Sequence, residues 1–284
     1  MVEEILDFLQ PAASKTYLDC TLGMGGHSEA LLSVSQGQIN LIAVDRDQRS
    51  LELAKDRLSP WQDKIQFLHS RFSEIPSQLK ANKKLINGGI LLDLGISSWQ
   101  LEQGEYTLSF GEQSLEEEID MRLDLWCKTN AKEILNTYSQ KRLADLFWEL
   151  ADYPKARALA RMIVANRPLK KMREFVDLCK QLYPHKKRIH PATLPLMALR
   201  IAVNEEFSEL QKFLQESESI LEPGAKIIVL SFHSGEDRLV KNYFKQSNLI
   251  ILTPKPLTPS RQEIKSNPRA RSVKLRAAEQ INEA

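Results

Sequence analysis

In the first hundred residues, short unbroken apolar runs alternate with longer stretches of helical period. "TYLDC", "INLIAVD", "KIQFLHS" and "GGILLDLG" read as strands, with "HSEALLSVS" and "DQRSLELAKDRL" as helices between them. Strands without polar alternation have both faces covered, so the pattern implies a parallel sheet between layers of helices. From Thr129 to Leu182 the period is helical throughout, as in "AKEILNTYSQKRLADLFWELA" and "KARALARMIVANR". The α/β rhythm returns near Met197, where "ALRIAVNEEFSELQKFLQESESIL" predicts one long amphipathic helix. "AKIIVLSFH" follows as a buried strand and "EDRLVKNYFKQ" as a helix, with "LIILTPKPLTP" and "ARSVKLRAAE" as a closing pair of strands. The expected fold class is α/β: a doubly wound, Rossmann-like sheet with an inserted all-α domain. The expected division is residues 1–103 with 196–284 for the sheet domain and 104–195 for the insertion. A segment of that length is too long to be a loop.

Composition changes this picture little. The chain has 284 residues, 42% of them apolar and 27% charged, which is ordinary for a soluble globular protein. Cys20, Cys127 and Cys179 are scattered and not at metal-ligand spacing, so a reducing cytoplasm is expected and a metal is not. "MVEEILDFLQP" is acidic and amphipathic, unlike a signal or transit peptide, and no apolar run approaches the ~20 residues of a membrane span. The expectation is a soluble cytoplasmic protein. Charge matters through its distribution, because the net value is only +2.

The candidate chemistry centres on "YLDCTLGMGGHSEALL". Gly23, Gly25 and Gly26 lie where a strand passes into a helix, the place where backbone can approach a ligand. Asp45 ends the next strand, about twenty residues on, where a carboxylate can accept both hydroxyls of a ribose. The last glycine of a dinucleotide fingerprint is missing, since Ser28 occupies its place, and Glu29 in the first helical turn would repel a phosphate. An adenosine carrying a positive centre and no phosphate fits better, which points to S-adenosylmethionine. Asp19 suits either the amino acid end of that molecule or the loop amides beside it. His27 is a cap or a contact to the methionine portion. Asp93 closes the fourth strand and either rims the same crevice or caps a helix. Phe72 is placed to stack on adenine or to pack in the core, and Gln100 to reach the crevice or stay at the surface.

Six strings then occur in one order along the chain: "YLDCTLGMGGHS", "LLDLGISSWQL", "IDMRLD", "HPAT…ALRIAVNEEF", "SFHSGEDRLVKNYF" and "NPRARSVKLRAAE". Together they resemble the bacterial 16S ribosomal RNA cytosine-N4-methyltransferases, which act on a cytidine of the decoding centre. The resemblance implies a class I methyltransferase fold with a helical substrate-recognition insertion. It also implies cofactor contacts at Gly25, Gly26, His27, Asp45, Phe72, Asp93 and Gln100. Departures from the family pattern are Trp99 for a proline, Leu194 for an arginine and Gly235 for a leucine, and the histidine-containing segment usual ahead of the first helix is absent.

For the transfer itself, an acceptor near the exocyclic amine would draw it out of conjugation with the ring. Asp93 is the first candidate, with Ser97 and Ser98 as alternatives. His233 would bond the cytosine or a phosphate, while Ser234 with Asp237 resembles a capping box. A flipped cytidine needs a basic surface for its flanking backbone. Candidates are Lys155, Arg157, Arg161, Arg167, Lys170, Lys171, Arg173, Lys180, Lys186, Lys187 and Arg188, and a second set of Lys255, Arg261, Lys265, Arg269, Arg271, Lys274 and Arg276. The acidic stretch from Glu102 to Asp124 is expected to face away from RNA or to cover the site. The expected partner is 16S rRNA or the small ribosomal subunit, without a membrane, and a homodimer is left open. The competing functions are an amino-methyltransferase acting on DNA or protein, a non-catalytic ribosome-assembly factor that binds RNA, and, least favoured, an NAD-dependent oxidoreductase.

Overall fold

The computed structural model describes residues 1–97, 99–100, 112–124, 126–183 and 189–281. Two compact units emerge: Met1–Gly95 with Phe207–Ala284, and Ile96–Glu206.

The first unit is built on seven strands: β1 (Thr16–Asp19), β2 (Asn40–Asp45), β3 (Ile65–His69), β4 (Gly89–Asp93), β5 (Lys226–Ser231), β6 (Ile250–Ile251) and β7 (Lys274–Glu279). Their order is β3-β2-β1-β4-β5-β7-β6. The pairs from β3 to β5 are parallel, while β7 runs antiparallel to both neighbours. This is the doubly wound α/β sheet expected from the sequence. Successive side chains go to opposite faces, so Leu18, Ile42, Val44, Ile90, Leu92, Ile227 and Val229 enter one core. Tyr17, Leu41, Ala43, Leu91, Ile228 and Leu230 enter the other. The first core is closed by Leu210, Phe213 and Leu214 of the helix Glu206–Ser217 and by Val240 and Phe244 of the helix Ser234–Gln246. The second takes Ile5 and Leu9, one turn apart on the helix Val2–Leu9. The chain crosses from β1 to β2 on one side and reaches β4 on the other, which puts the switch in strand order beside β1. Crevices at the carboxyl ends of strands open at such a point.

The second unit is helical. Its helices Ala131–Thr137, Gln140–Ala151, Ala156–Ala165, Met172–Gln181 and Thr193–Val203 share a core that includes Phe147, Leu159, Phe175 and Leu199. Asn130 and Ser139 cap the first two through the amides of Glu133 and Arg142, at 2.9 and 3.2 Å. The boundaries differ from the expected 104–195. The helix Thr193–Val203 runs through Pro195, which sits in the first turn where no amide hydrogen is needed. Its residues Leu196, Ala198 and Leu199 belong to the helical core.

The long helix expected from Ala198 to Leu221 is broken. Glu205 adopts a φ of 55°, and Asn204 turns inward. The Asn204 side chain accepts from the Leu123 amide at 2.9 Å and donates to the carbonyls of Met121 and Arg200 at 2.8 and 2.9 Å. These bonds satisfy a fully buried amide, and they end one helix before the next begins. Among the described residues, no helix is long and apolar enough to cross a membrane.

Candidate cofactor and substrate site

At the carboxyl ends of β1, β2 and β4 the chain gathers the glycine turn and its carboxylates. Gly23 and Gly25 have φ of 52° and 78°, a region that side chains with a Cβ rarely adopt. A Cβ on Gly25 would also stand 3.1 Å from Leu58 Cδ1, so this glycine packs the turn against the helix Gln48–Arg57. Nothing crowds Gly26 closer than Arg57 Nη1 at 3.9 Å, which leaves its outer face open.

Asp45 is tied directly to this turn. Its Oδ2 accepts from the Gly23 amide at 2.7 Å and its Oδ1 from the Asp47 amide at 2.8 Å. Burial pushes the Asp45 carboxyl up to about 6, although the two amide donors work against that rise. Asp19 resolves its two readings in favour of the loop: it accepts from the Thr21 amide at 3.1 Å and from the Ser28 hydroxyl at 2.6 Å. Burial likewise raises the Asp19 carboxyl above its ordinary value, against the Ser28 hydrogen bond and the nearby His27.

His27, the second residue of the helix Gly26–Val34, brings its Nε2 within 3.3 Å of Asp93 Oδ2. Burial lowers the imidazole, but Asp93 and Asp19 outweigh it and hold its pKa above the ordinary value. The amide of Asp93 donates to Thr21 Oγ1 at 2.6 Å, which locks the end of β4 to the glycine turn. His27 Nδ1 and Asp93 Oδ1 are buried polar atoms with no partner among the described residues. Phe72 lies in the short turn after β3, half-buried, and meets Phe213 edge-on with ring centroids 5.7 Å apart.

The sheet unit therefore brings together Gly23, Gly25, Gly26, His27, Asp45 and Asp93. Ser97 and Gln100 fall in the helical unit, and they pair with each other. The Ser97 amide donates to Gln100 Oε1 at 2.9 Å, and the Gln100 amide donates to Ser97 Oγ at 3.1 Å. Ser98 lies outside the described residues, as do Lys186, Lys187, Arg188 and, of the acidic stretch, residues 102–111 with Glu102 and Glu105.

Three features were missed in the sequence. Ser28 is fully buried and serves Asp19, which explains a serine where a dinucleotide fingerprint has glycine. Glu29 is not a bare charge, because Arg57 Nη2 stands 2.6 Å from it. Glu29 therefore repels a phosphate only weakly, and the discrimination against a dinucleotide rests on Ser28. The helix cap after β5 falls one residue early: His233 is the N-cap, and Glu236 three residues on accepts from the Phe232 and His233 amides at 2.8 and 3.4 Å. Asp237 instead binds Arg276 Nε at 2.7 Å and Lys274 Nζ at 3.0 Å. Burial opposes ionisation of Asp237, and these two cations override it, holding the carboxyl below its usual value.

His233 is buried to 10% side-chain exposure, with Nε2 3.1 Å from Glu236 Oε1. The Phe207 ring lies on its imidazole at 5.5 Å between centroids and 29° between planes. A Cβ on Gly235 would fall 2.4 Å from Phe207 Cζ, so the phenyl ring occupies the space beside this glycine.

Much of the basic run in the helical unit is also committed internally. Arg167 Nε donates to the Leu135 carbonyl at 2.7 Å. Lys171 and Arg173 hold Glu116 at 2.8 and 2.6 Å, and these cations hold the Glu116 carboxyl down at about 2. Lys180 lies 3.4 Å from Asp177. Arg157 and Arg161, one turn apart on the helix Ala156–Ala165, are exposed.

Residues 1–281 match the model of the MraW methylase family. A protein of Thermotoga neapolitana named ribosomal RNA small subunit methyltransferase H is 39% identical over 290 residues, covering 100% of this chain and 95% of that protein. One of the same name from Petrotoga mobilis is 38% identical, covering 99% of both. Another, from a Cyanothece strain, is 41% identical over 94% of this chain and 88% of that protein. With likeness along its full length and the turn, strand ends and inserted helices in place, this chain belongs to the MraW methylase family.

Proposed function

We propose that this protein transfers a methyl group from S-adenosylmethionine to the exocyclic N4 amine of a decoding-centre cytidine in 16S rRNA. The observation that carries the reading is the ring of carboxylates at one sheet edge, with Asp45 fastened to the glycine turn and Asp93 fastened to His27. A cationic nucleoside matches that donor set better than a phosphate-bearing one. The names of the relatives supply the class of substrate.

The residues fit the cofactor on chemical grounds. Gly25 and Gly26 would let it approach the backbone, Asp45 would accept its ribose hydroxyls, and Phe72 would offer a ring to its adenine. Bound there, S-adenosylmethionine supplies a methyl group already activated on a sulfonium. The protein's part is to align acceptor and donor, and positioning of this kind can supply ~7–11 kcal/mol. Asp93 accepts a hydrogen bond from the N4 amine, drawing its lone pair out of the ring and taking up positive charge as the bond forms. His27 holds Asp93 in place from the other side. The methylated amine then gives up its proton to water, so no separate base is required.

The test is mass mapping of cytidines in small-subunit RNA from a strain lacking this protein. Loss of one N4 methyl mark, restored by the wild-type chain and not by Asp93→Ala, is the expected result. An unaltered set of modified cytidines would overturn the reading.

A further inference from the structure

The strand order carries one charged segment to the acceptor side of the site. After β6 the chain runs back along β7: the Leu252 amide donates to the Ala277 carbonyl, and Leu257 and Leu275 exchange both bonds, at 3.0 and 2.9 Å. It then leaves the sheet, forms the helix Arg261–Ser266 and the turn Pro268–Ser272, and returns as β7. Because β7 is antiparallel and pairs Lys274 with Ser231 at the carboxyl end of β5, the excursion from 258 to 273 lies beyond the carboxyl edge of the sheet. Its anchors Ala270 and Val273 are buried in the core against which Phe232 packs. Phe232 in turn lies 3.7 Å from where a Cβ on Gly95 would stand, two residues past Asp93. The excursion therefore adjoins the ends of β4 and β5, on the other side of β1 from Asp45.

Its charge is one-sided. Between Thr253 and Lys274 stand Lys255, Arg261, Lys265, Arg269, Arg271 and Lys274, against Glu263 alone. The structure sorts these cations. Lys274, partly exposed, and the buried Arg276 beyond it are both paired with Asp237. Arg261, Lys265 and Arg271 are exposed and have no side-chain partner among the described residues. Arg261 and Lys265 are four residues apart, so they project from one face of their helix. Uncompensated cations held on a buried anchor are what a polyanion's backbone requires, and they read charge without reading sequence.

We propose that this excursion is the docking surface for the phosphodiester backbone of the RNA substrate, with Arg261, Lys265 and Arg271 as the phosphate contacts. It rests on the reading of the protein as an RNA methyltransferase and adds where the nucleotides flanking the target are held. The carboxylates of Asp19, Asp45 and Asp93 would repel those phosphates, and a basic excursion on the acceptor side keeps them apart while the base alone enters. Base entry without its backbone is the geometry a flipped nucleotide needs.

The experiment measures binding and methylation of small ribosomal subunits, and of 16S rRNA stripped of protein, by the wild type and by Arg261→Gln/Lys265→Gln/Arg271→Gln at several salt concentrations. Losing three phosphate contacts should weaken RNA binding about tenfold or more at low salt and flatten the log–log salt slope by about 2 to 3. The KM for RNA should rise, kcat at saturating RNA should hold, and affinity for S-adenosylmethionine should not change. Lys15→Gln/Lys64→Gln/Lys83→Gln, three exposed lysines ahead of β1, β3 and β4 at the amino edge of the sheet, is the matched control for charge and should keep the wild-type slope. A triple variant that keeps the wild-type salt slope, or one that loses cofactor affinity as well, overturns the proposal. A wild-type protein that binds the cofactor but neither binds nor methylates RNA overturns the functional reading itself.

Discussion

Asp45 does two things with one carboxylate. It closes the glycine turn through the Gly23 and Asp47 amides, and under the proposed function it would also take the hydroxyls of a ribose. The ionised form is the stronger acceptor for a ribose hydroxyl, and burial has raised this group to about 6. Affinity for S-adenosylmethionine should therefore fall as the pH drops through that value. Calorimetric titrations between about pH 5 and 8 should show the decline, and Asp45→Asn should abolish it while costing roughly 1.5–3 kcal/mol, the scale of a hydrogen bond to a charged group. A pH-independent wild-type affinity would remove Asp45 from the ribose site. The folding linkage has the opposite sign. Because the folded value lies above the ordinary 3.8, the stabilising contribution is complete below about 3.8 and is lost as the pH rises through about 6. At neutral pH the ionised carboxylate is thus a cost to folding. Asp19, Asp45 and Asp93 were legible because strand-end acids beside a glycine turn stand out in one dimension. The bond from Ser28 to Asp19 was not, since it joins residues nine apart across the turn.

At the level of elements, the start of the helix Ser234–Gln246 is set by how closely its second residue is packed. The Phe207 ring fills the volume beside Gly235 while stacking on His233. Gly235→Leu should destabilise the sheet unit by about 1–3 kcal/mol, the range for overpacking a close-packed site. Adding Phe207→Ala should recover part of that loss, because the new side chain then has room. Chemical denaturation of both single variants and the double variant checks this coupling, and strictly additive effects would exclude the exchange of one side chain for the other. The same helix shows why its cap was misread. Ser234 with Asp237 has capping spacing, but Asp237 is taken by Arg276 and Lys274 from β7, and the cap passes to His233 with Glu236. Competition from a distant strand has no local signature. The long helix expected past Ala198 fails for a similar reason: Asn204 breaks it by bonding to Leu123 and Met121, some eighty residues earlier.

For the molecule as a whole, binding of the donor to the folded state alone must raise stability by mass action. At one hundred times its dissociation constant, S-adenosylmethionine should add about 2.7 kcal/mol, read as a higher melting temperature in scanning calorimetry. NAD at the same concentration should give no shift. A shift with NAD and none with S-adenosylmethionine would reverse the choice of cofactor. Charge, too, is decided at this scale. The basic run from Lys155 to Lys180 looks in sequence like one surface, yet Arg167, Lys171, Arg173 and Lys180 are bound within their own unit. The cations after β6 look equally uniform, and the fold divides them into a pair held on Asp237 and an exposed set at the sheet edge, Arg261, Lys265 and Arg271, unpaired among the described residues.

What the sequence determined by itself is the alternation of buried strands and helices, the helical insertion and the acids that end β1, β2 and β4. Hydrophobic period and strand length are local quantities, and they need no partner to be read. The tertiary structure alone decided which charges are spent inside the fold, where a helix breaks and where the two units divide. Those outcomes depend on groups that meet only after the chain has folded. A buried amide or carboxylate takes whatever donor the packing brings to it, at a sequence distance that no local pattern encodes.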